Sequence, residues 1–141
     1  MGIRLTIEGA ETISLDEHSI KSCKFLTDTP DDSDARSTDV VNTLELTGKI
    51  LTAVDGDAAD DTMKIAKWSV VKAESSDSYR KATVEIVSAN QIVRKIHFPN
   101  AFVVDYQERY GDTEGIGEFT LIIRQKKDKF ELTTIDGGYS F

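Results

Sequence analysis

The stretch His97-Phe98-Pro99-Asn100-Ala101-Phe102-Val103-Val104-Asp105-Tyr106 decides how this chain folds. Before the proline the chain alternates as a half-buried strand does, with Ile96 and Phe98 on one side and His97 on the other. After it, Ala101 to Val104 are apolar without a break. A proline cannot donate to a ladder, so Pro99-Asn100 marks a kink or bulge joining two strand halves. Phe119-Thr120-Leu121-Ile122-Ile123-Arg124 is likewise apolar on both sides between Leu121 and Ile123. A strand apolar on both faces needs cover on both. A second layer of sheet would supply it, and so would a neighbouring copy of the chain; the pattern alone leaves both open.

The period of two extends through most of the sequence. Ile3, Leu5 and Ile7 alternate with Arg4, Thr6 and Glu8; Thr12–Leu15 reads as a short return, and Ile20–Thr27 as a further strand. Residues 28–39 then form a polar, aspartate-rich loop around Pro30, too long for a tight hairpin. The strand signal resumes at Val40, with Leu44, Leu46 and Ile50 opposite Thr43, Glu45, Thr47 and Lys49. One helix is predicted, over 61–71, where Met63, Ala66, Trp68 and Val70 recur at helical spacing beside Ile65 and a short carboxylate, Asp60 or Asp61, can cap the start. Strand patterns return at Ala82-Val84-Ile86, turn at Ser88–Gln91, and close with Phe130–Thr133 as a hairpin partner for the 119–124 strand before Gly137-Gly138 loosens the tail. The reading is one mostly-β domain over 1–141, a two-sheet barrel or sandwich of about eight strands with one helix.

Composition narrows the partners. At 141 residues, 39% hydrophobic and 30% charged, the chain can bury one core without staples. A net charge of −8 repels phosphate, which argues against nucleic acid and anionic membranes. The basic run Lys126-Lys127-Asp128-Lys129 is short and broken by an acid, as a solvated turn would be. No run of 18 apolar residues exists to span a membrane, and the start lacks a signal-peptide core; Met1-Gly2 with Thr6 matches a myristoylation signal only loosely. The expectation is synthesis in the cytoplasm with no membrane anchor.

The chemistry expected is structural. Cys23, the lone cysteine, sits in a strand and reads as a small half-buried side chain. His18 and His97 are far apart, and no spacing of histidine and cysteine gives a zinc or di-iron ligand set. Asp55-Gly56-Asp57 with Asp60-Asp61 has the acids of a calcium loop without its spacing or closing glutamate, and a turn plus helix cap accounts for it. No phosphate loop or nucleophile elbow occurs, and the acids of Gly111–Gly117 would repel a phosphate. No catalytic residue, cofactor or metal is predicted. Trp68 reads as a core anchor, with a contact to a neighbour as the alternative.

The order of elements resembles that of the haemolysin-coregulated tube proteins (Hcp) of type VI secretion and the related tube proteins of contractile phage tails and tail-like particles. The segments carrying the likeness are the helix at 62–71, the strand Tyr79–Ile86, the kinked stretch His97–Tyr106 and the strand Glu118–Arg124; the first half agrees in element order alone. The resemblance implies a barrel-like pair of sheets with one helix. It implies six copies in a ring, rings stacked into a tube, an extended loop reaching a neighbour, and a surrounding sheath and baseplate as partners, with a lumen able to hold cargo. With the two-faced strands, it nominates Asp28, Pro30, Asp39, Val40, Trp68, Phe102, Val104, Tyr106, Ile123 and Phe141 as subunit contacts. A monomeric ligand-binding barrel is the competing reading, and its mark would be an open apolar interior.

Overall fold

The computed structural model describes residues 1–28, 41–50, 61–112, 117–126 and 133–140. Its elements are β1 (Gly2–Glu8), β2 (Thr12–Leu15), β3 (Ile20–Asp28), β4 (Val41–Ile50), α1 (Thr62–Ser69), a 3-10 turn (Ser76–Ser78), β5 (Arg80–Ser88), β6 (Gln91–Arg109), β7 (Gly117–Gln125), β8 (Thr134–Asp136) and β9 (Tyr139–Ser140). The strands form one antiparallel sheet in the order β2-β1-β5-β6-β7-β4-β3, with β8 and β9 also on β6. The expected mostly-β fold with one helix is therefore realised as a single continuous sheet, curled until β1 and β3 touch. Its concave side holds one core: Leu5 and Ile7 of β1, Leu44 and Leu46 of β4, Val84 of β5, Phe98 of β6 and Phe119, Leu121 and Ile123 of β7, all essentially without solvent contact.

The strand β6 joins the two halves. Its 19 residues pair with β5 up to Ala101 and with β7 from Ala101 onward. At Pro99-Asn100 two residues of β6 oppose the single Lys81 of β5, which is the bulge that the proline predicts. The backbone groups removed from the ladder there are recovered by β7: the Asn100 amide donates to Gln125 Oε1 at 3.0 Å, and the Lys126 amide donates to the Asn100 carbonyl at 2.8 Å. Gln125 is itself buried. A second bulge pushes Val104 out between Val103↔Ile123 and Asp105↔Ile122. The inward set consequently changes parity twice, from Ile96 and Phe98 to Ala101 and Val103, then to Tyr106. Much of the apparent two-faced character of 101–104 is this shift of register.

The helix corrects its sequence reading in extent, face and cap. It spans Thr62–Ser69 and buries Thr62, Ile65 and Trp68, while Met63 and Val70, read as part of its apolar stripe, stand 68% and 79% exposed. Asp61 occupies the cap position, but its carboxylate makes no cap bond to the helix. It accepts instead from the Ser14 amide of β2 at 2.9 Å. Trp68 donates from Nε1 to the Ser78 carbonyl at 3.1 Å, and the Arg80 guanidinium lies over its ring at 5.4 Å. Arg80 is 5% exposed and paired with Asp77 at 2.8 Å, an arrangement that holds the Asp77 carboxyl below the usual carboxylate range.

The tail is docked rather than loose: β8 and β9 pair with β6 either side of Gly137-Gly138. Gly137 has φ +156°, and a Cβ there would run into the Val93 carbonyl, so the turn needs glycine. Most of the loop 28–39, the segment Asp55–Asp60, the run 127–129 and the proposed hairpin partner at 130–132 lie outside the described residues.

Two outcomes follow from the backbone. Gln125→Leu removes the side-chain acceptor of the Asn100 amide. It should destabilise by about 2 kcal/mol, the cost of an orphaned buried donor, and a denaturant midpoint equal to wild type would refute this account of the bulge. Ala89 holds φ 52° and Asn90 φ 63° in the β5–β6 turn. Ala89→Gly relieves the first and should stabilise by about 0.5–1 kcal/mol, read in the same titration.

Candidate assembly surfaces

The convex side of the β3-β4-β7-β6 half carries cross-strand rows set by the register. One row is Ser22, Thr47, Thr120 and Gln107; the next is Lys24, Glu45, Ile122 and Asp105; a third joins Lys49, Glu118 and Arg109. Lys21 reaches Glu118 at 3.2 Å, and the Ser22 and Thr47 hydroxyls bond each other. Opposite charges and hydroxyls alternate on this face, so it suits water rather than a dry contact. The convex side of the β1-β5-β6-β8 half is also polar, a shallow groove lined by Thr6, Glu8, Thr83, Glu85, Lys95 and His97.

Apolar exposure gathers elsewhere. Phe102 and Tyr79 meet edge to face, ring centroids 5.9 Å apart, beside a notch of about 100 Å³ between the end of α1, the 3-10 turn and β6. Lys126 sits over the Tyr79 ring at 5.2 Å. Tyr79, which lines the notch, remains substantially exposed, as do Val70 and Val104, each next in sequence to a lining residue. Scattered exposed apolar side chains are ordinary, but a group beside a notch is a surface suited to a partner. Val93 on β6 and Ile135 on β8 are further exposed apolar side chains.

The titratable groups have structural partners. His97 is on the outer face of β6, as read from the sequence, and its Nδ1 lies 2.8 Å from Thr83 Oγ1; partial burial lowers its pKa. His18 is exposed beside Asp16. Burial pushes the Cys23 thiol up to about 11, the opposite of an activated thiolate. Among the described residues no group of three His, Cys, Asp or Glu side chains could hold a metal ion, and no helix is long and apolar enough to cross a membrane.

The nominated contact residues divide. Phe102 and Val104 face outward beside the notch, and Tyr106 is half-buried, its ring stacked on Phe119 with centroids 6.4 Å apart. Asp28 ends β3 in the open. Ile123 is enclosed by the chain's own atoms and is a core side chain, and Trp68 is almost wholly buried, reaching the surface only at the wall of the notch. Pro30, Asp39, Val40 and Phe141 lie outside the described residues. Tyr79 was missed because it falls in no apolar run; its edge-to-face contact with Phe102 comes from tertiary placement that a linear pattern does not show.

No protein-family model and no curated protein matches the sequence. Solved structures do match. Hcp1 from Flavobacterium johnsoniae superposes with a TM-score of 0.58 at 14% identity, covering 99% of this chain and 97% of that one. A chain in the cryo-EM structure of the anti-feeding prophage baseplate, six-fold symmetrised, gives 0.55 at 12% identity over 96% and 92%. A chain of the anti-feeding prophage cap, described as the tube-terminating cap, gives 0.52 at 11% over 96% and 89%. At such identities the likeness is one of fold, and across nearly the whole of both chains the fold of this protein is the Hcp-like fold.

Proposed function

We propose that this chain is a structural subunit of the inner tube of a contractile injection system, assembling as rings of six that stack head to tail. The observation that carries the reading is coverage: the likeness to Hcp1 and to chains of two anti-feeding prophage assemblies takes in 96–99% of this chain and 89–97% of those. The surface agrees. The exposed apolar side chains lie on different elements, Val70 just after α1, Val93 and Val104 on β6 and Ile135 on β8, which suits a heterologous contact, in which one surface meets a different surface on the next copy. A wet, mixed-charge convex face on β3-β4-β7-β6 suits a lumen through which cargo passes without sticking. Sheath and baseplate proteins are the further partners, and the particle, a phage tail or tail-like device, is assembled after synthesis in the cytoplasm. The role is structural and not enzymatic. The competing ligand-binding barrel is disfavoured by the concave side, which Leu, Ile and Phe side chains fill.

Negative-stain images and sedimentation velocity of the purified chain, alone and with its sheath and baseplate proteins, should give six-fold rings or tubes. Val104→Glu places a charge on the exposed bulge without touching the core. It should weaken ring formation by at least about tenfold, the effect of one desolvated charge worth more than about 1.4 kcal/mol, with unchanged circular dichroism. Monomers under every one of these conditions would sink the reading.

A further inference from the structure

The curled sheet has two terminal strands in its hydrogen-bonded order, β2 and β3, and they are treated differently. Terminal strands are templates for pairing with another chain unless something blocks them. On β2 the register with β1 sets Thr6↔Ser14 and Glu8↔Thr12. In an antiparallel pair alternate residues point their backbone groups away from the partner. Ser14 is such a residue, since its amide bonds to Asp61 Oδ2 at 2.9 Å, and Thr12, two residues away, has the same parity. The Thr12 carbonyl is taken by Lys64 Nζ at 3.3 Å, and Lys64 and Asp61 are joined to each other at 3.4 Å. One carboxylate and one ammonium, three residues apart at the start of α1, thus fill a donor and an acceptor on the free side of β2. On the nine-residue β3, by contrast, no side chain among the described residues bonds the backbone.

We propose that Asp61 and Lys64 are an edge guard: they occupy the outward backbone groups of β2 so that the edge strand of a second copy cannot add there. This explains why the Asp61 carboxylate ignores the amides of its own helix, where a cap bond is the usual use of that side chain. A local bond to α1 would stabilise the helix but leave Ser14 and Thr12 as a strand template. The guard does not depend on the tube reading, because it concerns β2 pairing in the isolated chain.

The test uses the purified full chain. Asp61→Ala with Lys64→Ala should raise self-association measured by sedimentation velocity by about tenfold, as the loss of about 1.4 kcal/mol of competing bonds implies, and should do so as open-ended species with added β signal. Asp61→Asn keeps an amide oxygen for the Ser14 amide and should sediment as wild type. Ser14→Pro separates edge pairing from general destabilisation: its lost N–H is not used in the β1 ladder, so the fold tolerates it, while a proline on the free side blocks an incoming strand. Added to the double variant, it should restore wild-type sedimentation. Association that persists with Ser14→Pro, or a natively folded double variant that sediments as wild type, overturns the proposal. Hydrogen exchange on the wild type gives an independent reading: the Ser14 amide should be protected although it has no strand partner, and free exchange at that amide overturns the proposal even where the variants fail to fold.

Discussion

The amide of Asn100 is the point on which the sheet depends. One strand must serve β5 along its first half and β7 along its second, and a straight strand of 19 residues cannot wrap a curled sheet while keeping the same parity inward. A bulge solves the geometry and leaves backbone groups without a ladder. Pro99 has no N–H to strand, and the Asn100 N–H and carbonyl are both taken up by Gln125 and Lys126 at the end of β7. A buried glutamine side chain therefore does the work of a missing strand residue. Apolar side chains of similar size would fill the space but leave the donor unpaired, which costs more than the packing returns. Because the fix comes from β7, the bend in β6 and the β6–β7 pairing form together.

That constraint also explains what could be read in the sequence and what could not. Strands such as β1 and β4 follow a strict period of two, and their inward residues, Leu5, Ile7, Leu44 and Leu46, are those the alternation selects. Pro99 announced its bulge because the missing donor is a property of the residue type. Val104 announced nothing: its bulge is set by pairing with Ile122 and Ile123 across the sheet, and a linear pattern reads the resulting parity change as a strand apolar on both faces. The helix misled for a related reason. Spacing placed Met63 and Val70 on the apolar side, but α1 is eight residues long and is oriented by Trp68, whose indole is fixed by Ser78 and Arg80, so its buried line runs through Thr62, Ile65 and Trp68. Of the nominated surface residues, those displaced outward by the bulge kept their exposure, and Ile123, in register with the core, did not.

Arg80 shows how tightly the region between helix and sheet is specified. Its guanidinium is inside, stacked on Trp68, paired with Asp77, and packed so closely on Gly9 that a side chain there would meet it at about 2.9 Å. Its Nη1 is buried without a hydrogen-bond partner among the described residues. A buried cation is poor value for stability but strong on geometry, because only one placement of helix, 3-10 turn and β1–β2 turn keeps it paired. The same placement sets α1 against β2, close enough for Asp61 and Lys64 to reach the strand's free side.

A protein built on an open sheet has to reject most of the associations open to it. Apolar side chains and free backbone groups both invite neighbours, but they differ in selectivity: a strand edge accepts almost any extended segment, whereas a notch lined by Tyr79, Phe102 and Trp68 accepts only what fits its shape. The distribution found here follows that difference. Backbone groups at β2 are consumed by charged side chains whose ordering the helix already provides, and the exposed apolar surface is left beside a shaped notch. The charges cost little because they remain partly in water, with side chains 38% exposed at Lys64 and 26% at Asp61. A pair worth little in stability can still decide which contacts form, because an edge needs only to be occupied, not strongly bound, to be unavailable as a template.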